Sequence, residues 1–174
     1  MTMGAVPFAH NASQVLLGDD LVVGDQVEYA VELFNFVGDP PRRLVWSGPP
    51  LELDEGDVER WREEQVAMAP EGERAGLRTY LAAAPHPPSR PAYGRLMADL
   101  SGYLWVAQYA DPSHEARGWD VVDASGRWVG VVDAPDSFRL FQIGQDWILG
   151  VARDELGVER IELRPLQRGS PSPG

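Results

Sequence analysis

The chain has 174 residues, 27 of them acidic and 15 basic, for a formal net charge of −12. That charge repels a phosphate backbone and an anionic membrane surface, so neither is an expected partner. Cysteine is absent, which excludes disulfides, thiolate zinc sites, iron–sulfur clusters and thiol catalysis together. The length suits one domain, and 44% hydrophobic residues suffice for a core. No apolar run approaches the roughly 18–20 residues of a membrane span. The first residues, Met1-Thr2-Met3-Gly4, open no signal peptide, which points to the cytoplasm if Met1 is the true start.

In chain order, short apolar runs alternate with turn formers. Strands are expected over 15–17 and 21–23, separated by Gly18-Asp19-Asp20, then over 29–37 and 44–46, separated by Gly38-Asp39-Pro40-Pro41. Strands so joined form an antiparallel meander. Asp54 then starts a helix, with Asp57 three residues on and acids massed in the first turn. Pro70 ends it. A second helix over about 71–83 carries Leu77, Tyr80, Leu81 and Ala84 at helical spacing. Both helices, within 54–84, are expected to pack against the sheets through Trp61, Leu77, Tyr80 and Leu81. The Pro85-His86-Pro87-Pro88 run is extended. Strands resume at Tyr93 and continue over 95–98, 103–109, 119–122, 127–132, 138–143, 147–151 and 158–163. The Ser/Pro/Gly-rich tail 167–174 is expected to fray.

An internal repeat underlies this order. Leu17-Gly18-Asp19-Asp20-Leu21-Val22-Val23-Gly24 matches Ile143-Gly144-Gln145-Asp146-Trp147-Ile148-Leu149-Gly150 as apolar, Gly, polar, Asp, three apolar, Gly. Tyr103-Leu104-Trp105-Val106 fills the same slot between them. Leu21 to Tyr103 is 82 positions and Tyr103 to Trp147 is 44; the surplus of 38 equals the length of segment 51–88. Removing that segment leaves three units of about 45 residues with up to four strands each, the arithmetic of a β-propeller blade. Phe34-Asn35-Phe36-Val37-Gly38 likewise aligns with Val122-Asp123-Ala124-Ser125-Gly126, each an apolar strand, a turn former and a glycine. The expected fold is therefore mostly β. It is a partial β-propeller of about three antiparallel four-stranded blades, the last one incomplete, with a two-helix insertion. The blades span 13–50, 91–135 and 136–166, and the insertion spans 51–88.

The stretch Pro91-Ala92-Tyr93-Gly94-Arg95-Leu96-Met97-Ala98-Asp99, then Gly102-Tyr103-Leu104-Trp105-Val106 and Trp119-Asp120-Val121-Val122-Asp123 to Gly126-Arg127-Trp128-Val129-Gly130, resembles the closing blades of bacterial six-bladed NHL/TolB-like propellers. The ending, with Asp146-Trp147-Ile148-Leu149-Gly150-Val151 and Asp154-Glu155-Leu156-Gly157-Val158, is similar to their final blade. The likeness covers about residues 13–166. It implies the C-terminal portion of such a propeller, in a family that is commonly exported (periplasmic or extracellular), and it implies no particular activity.

Candidate chemistry is sparse. His10, His86 and His114 fall in expected loops and are not paired at helical or strand spacing. Asp19, Asp20 and Asp25 offer oxygen ligands, but acids recur at turns in each repeat, as at Asp146 and Asp154, and turn formation explains them. Glu63 and Glu64 read as a solvated helix face. Ser13 and Ser47 have no neighbouring base, and Asn11-Ala12-Ser13 is a glycosylation acceptor only in an exported chain. Of the six tryptophans, 46, 61, 105, 119, 128 and 147, four lie in or at the start of strands and are expected to pack between blades. No catalytic, metal or cofactor residue is assigned. The resulting expectation is a non-enzymatic binding or scaffold module for a protein, peptide or small ligand. One alternative is part of a propeller hydrolase of the lactonase type. A second is a structural module that self-associates through open blade faces and edges.

Overall fold

In a computed structural model the described residues are 8–110, 118–133, 135 and 138–168. Among these described residues, eleven strands form three antiparallel sheets, joined to two helices. Sheet 1 holds β1 (Ser13–Leu17), β2 (Asp20–Gly24), β3 (Ala30–Asn35) and β4 (Arg42–Val45) in that order. Sheet 2 holds β5 (Leu96–Ala98), β6 (Leu104–Ala107), β7 (Gly118–Val122) and β8 (Trp128–Asp133). Sheet 3 holds β9 (Phe138–Ile143), β10 (Trp147–Arg153) and β11 (Glu159–Pro165). Each sheet is a simple meander, and β2, β6 and β10, the strands aligned by the repeat, are the second strand of their own sheet.

One turn chemistry recurs. Asp99, Asp123 and Asp154 each stand three residues before a glycine with positive φ: Gly102 at 84°, Gly126 at 88° and Gly157 at 80°. In each turn the glycine N–H donates to the aspartate carbonyl (3.3, 2.9 and 2.9 Å). The aspartate Oδ1 accepts the N–H groups two and four residues on, from Ser101 and Tyr103, from Ser125 and Arg127, and from Leu156 and Val158. Glycine is required at the fourth position because that conformation is costly for a residue with a Cβ. The Asp-x-x-Gly pattern is therefore a hairpin device, as the turn reading of Asp154 anticipates.

The sheets stack face to face in chain order. The first core lies between sheets 1 and 2 and holds Val22, Val31, Leu33 and Leu44 against Leu104, Val106 and Val122. The second lies between sheets 2 and 3 and holds Trp105, Trp119 and Val121 against Phe138, Leu140 and Ile143. Sheet 2 is thus covered on both sides, and adjacent residues of β6 (Leu104 and Trp105) serve opposite cores, as the pleat demands. Corresponding strands meet corresponding strands. β1 lies beside β5. The Arg95 guanidinium donates to the Leu140 carbonyl (2.5 Å) and Leu100 N–H to the Ile143 carbonyl (3.1 Å), which ties the start of sheet 2 to β9. At the far edge, Arg42 of β4 donates to the Ala124 carbonyl in the β7–β8 turn (3.2 Å).

The insertion holds α1 (Glu55–Met68), a 3-10 turn (Glu71–Glu73) and α2 (Arg74–Ala83). Asp54 and Asp57 form a capping box at the start of α1. The insertion leaves and rejoins the sheets at one point. Leu53 N–H donates to the Pro88 carbonyl (3.2 Å), Arg90 N–H donates to the Leu51 carbonyl (2.8 Å), and Glu52 bridges Ser89. This stem makes 51–88 an excursion from an otherwise continuous pair of sheets. The expected docking of the helices on the sheets is corrected: α1 and α2 pack chiefly on each other. Val58, Val66 and Leu81 are buried outside both sheet cores. Leu77 is half-buried, and Tyr80, expected at the interface, is half exposed. A ten-residue helix with one neighbour buries a stripe too narrow for all four apolar positions. Trp61 packs on Phe8 (5.9 Å between ring centroids). The polar tie to the rest is Asp57, which accepts from Arg90 at 2.7 Å and from Arg60 at 2.5 Å. At the other end of the chain, Arg168, placed by composition in the fraying tail, is anchored: it donates to Asp99 (2.7 Å) and to the Gln145 and Gly144 carbonyls, over the Tyr103 ring.

Candidate functional site

The residues singled out in the sequence do not converge. His10 has a buried Nε2 with no hydrogen-bond partner, His86 is exposed with Nδ1 beside the Pro87 carbonyl, and His114 lies outside the described residues. Asp20 is engaged by Asn35 (2.8 Å) and Arg42 (2.5 Å), and Asp25 caps Val27 N–H (3.0 Å). Asp19 sits in the exposed β1–β2 turn, and Glu63 and Glu64 are exposed on α1. Among the described residues, no three His, Asp or Glu side chains are placed to hold a metal ion. Ser13 Oγ is buried and has no hydrogen-bond partner, while Asn11 is exposed and donates to the Ala9 carbonyl.

The tryptophans divide. Trp105 and Trp119 are buried between sheets 2 and 3, edge to face at 6.5 Å. Trp46 is half-buried between sheets 1 and 2, 5.4 Å from the Tyr93 ring. Trp147 is half-buried, its indole over Gly144. Trp128 departs from the expectation: it is 54% exposed on β8, with Nε1 donating to Asp120 (3.1 Å). β8 is the fourth strand of sheet 2, and among the described residues sheet 3 has no fourth strand to lie beside it.

A polar concavity lies where the chain leaves sheet 1 and enters sheet 2. A cleft of about 240 Å³ is lined by Tyr29, Ser47, Arg90, Gln108, Tyr109 and Asp120, among others. The Tyr29 hydroxyl donates to the Pro49 carbonyl (3.0 Å), and its ring packs edge-on to Trp46 (6.2 Å). Burial pushes this phenol above its usual pKa, the Asp120 charge adds to that, and Arg90 works against it. Behind the wall, Tyr93 donates to the Ala30 carbonyl (3.2 Å), and Gln26 reaches the Gly94 carbonyl (2.6 Å). Donors, acceptors and aromatic edges of this kind suit a small polar ligand. Sequence reading missed the cleft because its walls come from separate segments spread between Tyr29 and Asp120.

The larger feature is apolar. The register puts Leu16, Leu21, Val23, Phe34 and Val45 on the side of sheet 1 turned away from sheet 2. It puts Leu149, Val151, Ile161 and Leu163 on the side of sheet 3 turned away from sheet 2. Val45 is 63% exposed, Ile161 79% and Leu163 64%. Both ends of the stack therefore expose apolar side chains, interleaved with Gln14, Glu32 and Arg43 on sheet 1 and with Arg139 and Gln142 on sheet 3. Beside β8, where sheet 3 runs out of strands, a groove of about 260 Å³ opens between Val129, Val131, Val132 and Leu166. No protein-family model, curated protein or solved structure matches this chain.

Proposed function

We propose that the chain is three successive blades of a β-propeller and acts as a non-enzymatic binding or scaffold module, with the two end faces of the stack as its binding surfaces. The observation that carries the reading is the set of exposed apolar side chains on both outer faces, Leu16 and Val45 on sheet 1 and Ile161 and Leu163 on sheet 3. Monomeric proteins rarely expose contiguous apolar patches beyond a few hundred Å², and larger ones mark association sites. Three blades also fall short of the four to eight that close a propeller ring. The resemblance to NHL/TolB-like propellers supports the same architecture.

Light scattering together with bis-ANS fluorescence tests this. The purified chain should either associate through these faces or, where it is monomeric, take up the dye on them. A monodisperse monomer with a cooperative melt and no dye uptake would contradict the reading, because its faces would then be neither apolar sites nor in need of a cover.

A further inference from the structure

We infer that the partner of each end face is a second copy of this chain, and that two copies stack head to tail, sheet 3 of one on sheet 1 of the other, to close a ring of six sheets. The inference rests on the reading of the end faces as binding surfaces and names their occupant.

The handedness of the stacking carries it. A meander has two distinct faces: with the first strand upward, the strands run left to right on one and right to left on the other. Which face a side chain occupies follows from whether its cross-strand pair is hydrogen-bonded. Leu17 and Asp20 flank a two-residue turn, so they are a bonded pair, and they point toward sheet 2. In sheet 2 the bonded pair is Asp99 with Tyr103, so Ala98 and Leu104, one step further on, are a non-bonded pair, and they point toward sheet 1. In sheet 3 the bonded pair is Gly144 with Trp147, so Ile143 and Ile148 are non-bonded, and they point toward sheet 2. Sheet 1 therefore offers its left-to-right face to its successor, and sheets 2 and 3 each offer the right-to-left face to their predecessor. The same face-to-back relation is used twice.

The two free faces then complement each other. Sheet 1's outer face is of the kind that sheets 2 and 3 present to a predecessor. Sheet 3's outer face is of the kind that sheets 1 and 2 present to a successor. A second copy supplies both missing neighbours at once, through two identical contacts related by a two-fold axis. Six sheets lie within the range of closed propellers. Each copy carries −12, so repulsion opposes the pairing and salt should strengthen it by screening.

The test is sedimentation equilibrium on the full chain and on two variants at exposed positions, Val45→Glu on the sheet 1 face and Ile161→Glu on the sheet 3 face. Far-UV circular dichroism of both variants checks that the fold is kept. The wild type should sediment as one species at twice 19.2 kDa, more tightly associated at higher salt. Each variant alone should fall to 19.2 kDa. An equimolar mixture of the two should recover the double mass, because it restores one intact contact. Dissociation by only one of the variants would mean like faces pairing and would overturn the head-to-tail arrangement. Masses beyond two copies would overturn ring closure. A monomeric wild type would overturn the self-partner. If that monomer bound bis-ANS and the variants lost it, the end faces would stand with another occupant. If it bound none, the reading of the end faces would fail as well.

Discussion

Replacing Asp99 by Ala should be among the most damaging changes to a turn in this protein. Its carboxylate is fully buried and accepts four donors: Ser101 N–H (2.8 Å), Tyr103 N–H (2.9 Å), the Trp105 indole N–H (3.0 Å) and Arg168 (2.7 Å). Losing the turn-capping bonds costs about 1 kcal/mol, by analogy with helix caps. Leaving the Trp105 N–H, in a residue 1% exposed, without an acceptor costs roughly 1–3 kcal/mol more. Arg168 is partly exposed and adds little. The sum is about 3 kcal/mol, or a melting point lower by roughly 6–12 °C for a domain of this size. Asp123→Ala removes the same turn bonds where the indole and the buried setting are absent, and should cost only about 1 kcal/mol. Asp99→Asn should fall between them, keeping an acceptor for the turn while setting an amide N–H against the indole. Urea unfolding followed by far-UV circular dichroism measures all three. Equal losses for Asp99→Ala and Asp123→Ala would refute the role assigned to Trp105.

Other expectations concern the insertion, acid stability and a close approach. Excising 53–88 and joining Glu52 to Ser89 through an Asn-Gly turn should remove the helical signal and keep the β signal, since these residues already pair; loss of the β spectrum would count against an insertion. Asp57→Ala should free α1 and α2 first, because it breaks a buried contact to Arg90, a change that typically costs roughly 3–5 kcal/mol. Hydrogen exchange should then rise in the helices with the sheets still protected, and uniform loss would show the helices to be part of the sheet cores. Asp123 titrates below the usual aspartate value, chiefly through the Ser125 hydroxyl bond, with burial opposing and the Arg127 and Ser125 N–H bonds assisting. A depressed folded pKa gives stability that is complete above the unfolded pKa of about 3.9 and is lost as pH falls through the folded value. Acid unfolding of Asp123→Asn should therefore lack that contribution, and an unchanged acid limb would refute it. Gly150→Ala would set a methyl 2.6 Å from the Arg139 carbonyl at the β9–β10 bulge and should cost about 1–3 kcal/mol in a urea titration. A neutral result would mean the bulge is free to open.

The strands were legible because their ends are written in short-range chemistry. Asp99-Leu100-Ser101-Gly102, Asp123-Ala124-Ser125-Gly126 and Asp154-Glu155-Leu156-Gly157 each encode a turn within four residues, and the spacing of Leu21, Tyr103 and Trp147 carried the repeat. The capping box at Asp54 fixed the start of α1 for the same reason. What escaped was long-range. Helical spacing put Tyr80 in the stripe with Leu77 and Leu81, yet α2 packs chiefly on α1 and Tyr80 is half exposed. Arg90 and Asp57 are 33 residues apart and Arg168 and Asp99 are 69 apart, so neither ion pair leaves a local trace. Trp128 read like Trp105 and Trp119 because its strand alternates in the same way, and its exposure reflects the three strands that sheet 3 has among the described residues. The cleft at Tyr29 and Asp120 was invisible because it is assembled from both sheets and the stem of the insertion.

The central claim is an open stack with sheet 2 in the middle, and pairwise nitroxide distances test it most directly. The chain has no cysteine, so single cysteines at Val45, Val131 and Ile161, one exposed site per sheet, can be labelled without background. Double electron–electron resonance on doubly labelled chains, diluted in unlabelled protein, gives the three separations. Sheets packed face to face lie about 10 Å apart, so the sheet 1 to sheet 3 distance should exceed each of the other two by about 10 Å or more. Three equal distances would mean that the sheets close on one another around a common centre, and the open stack with its two free faces would be wrong.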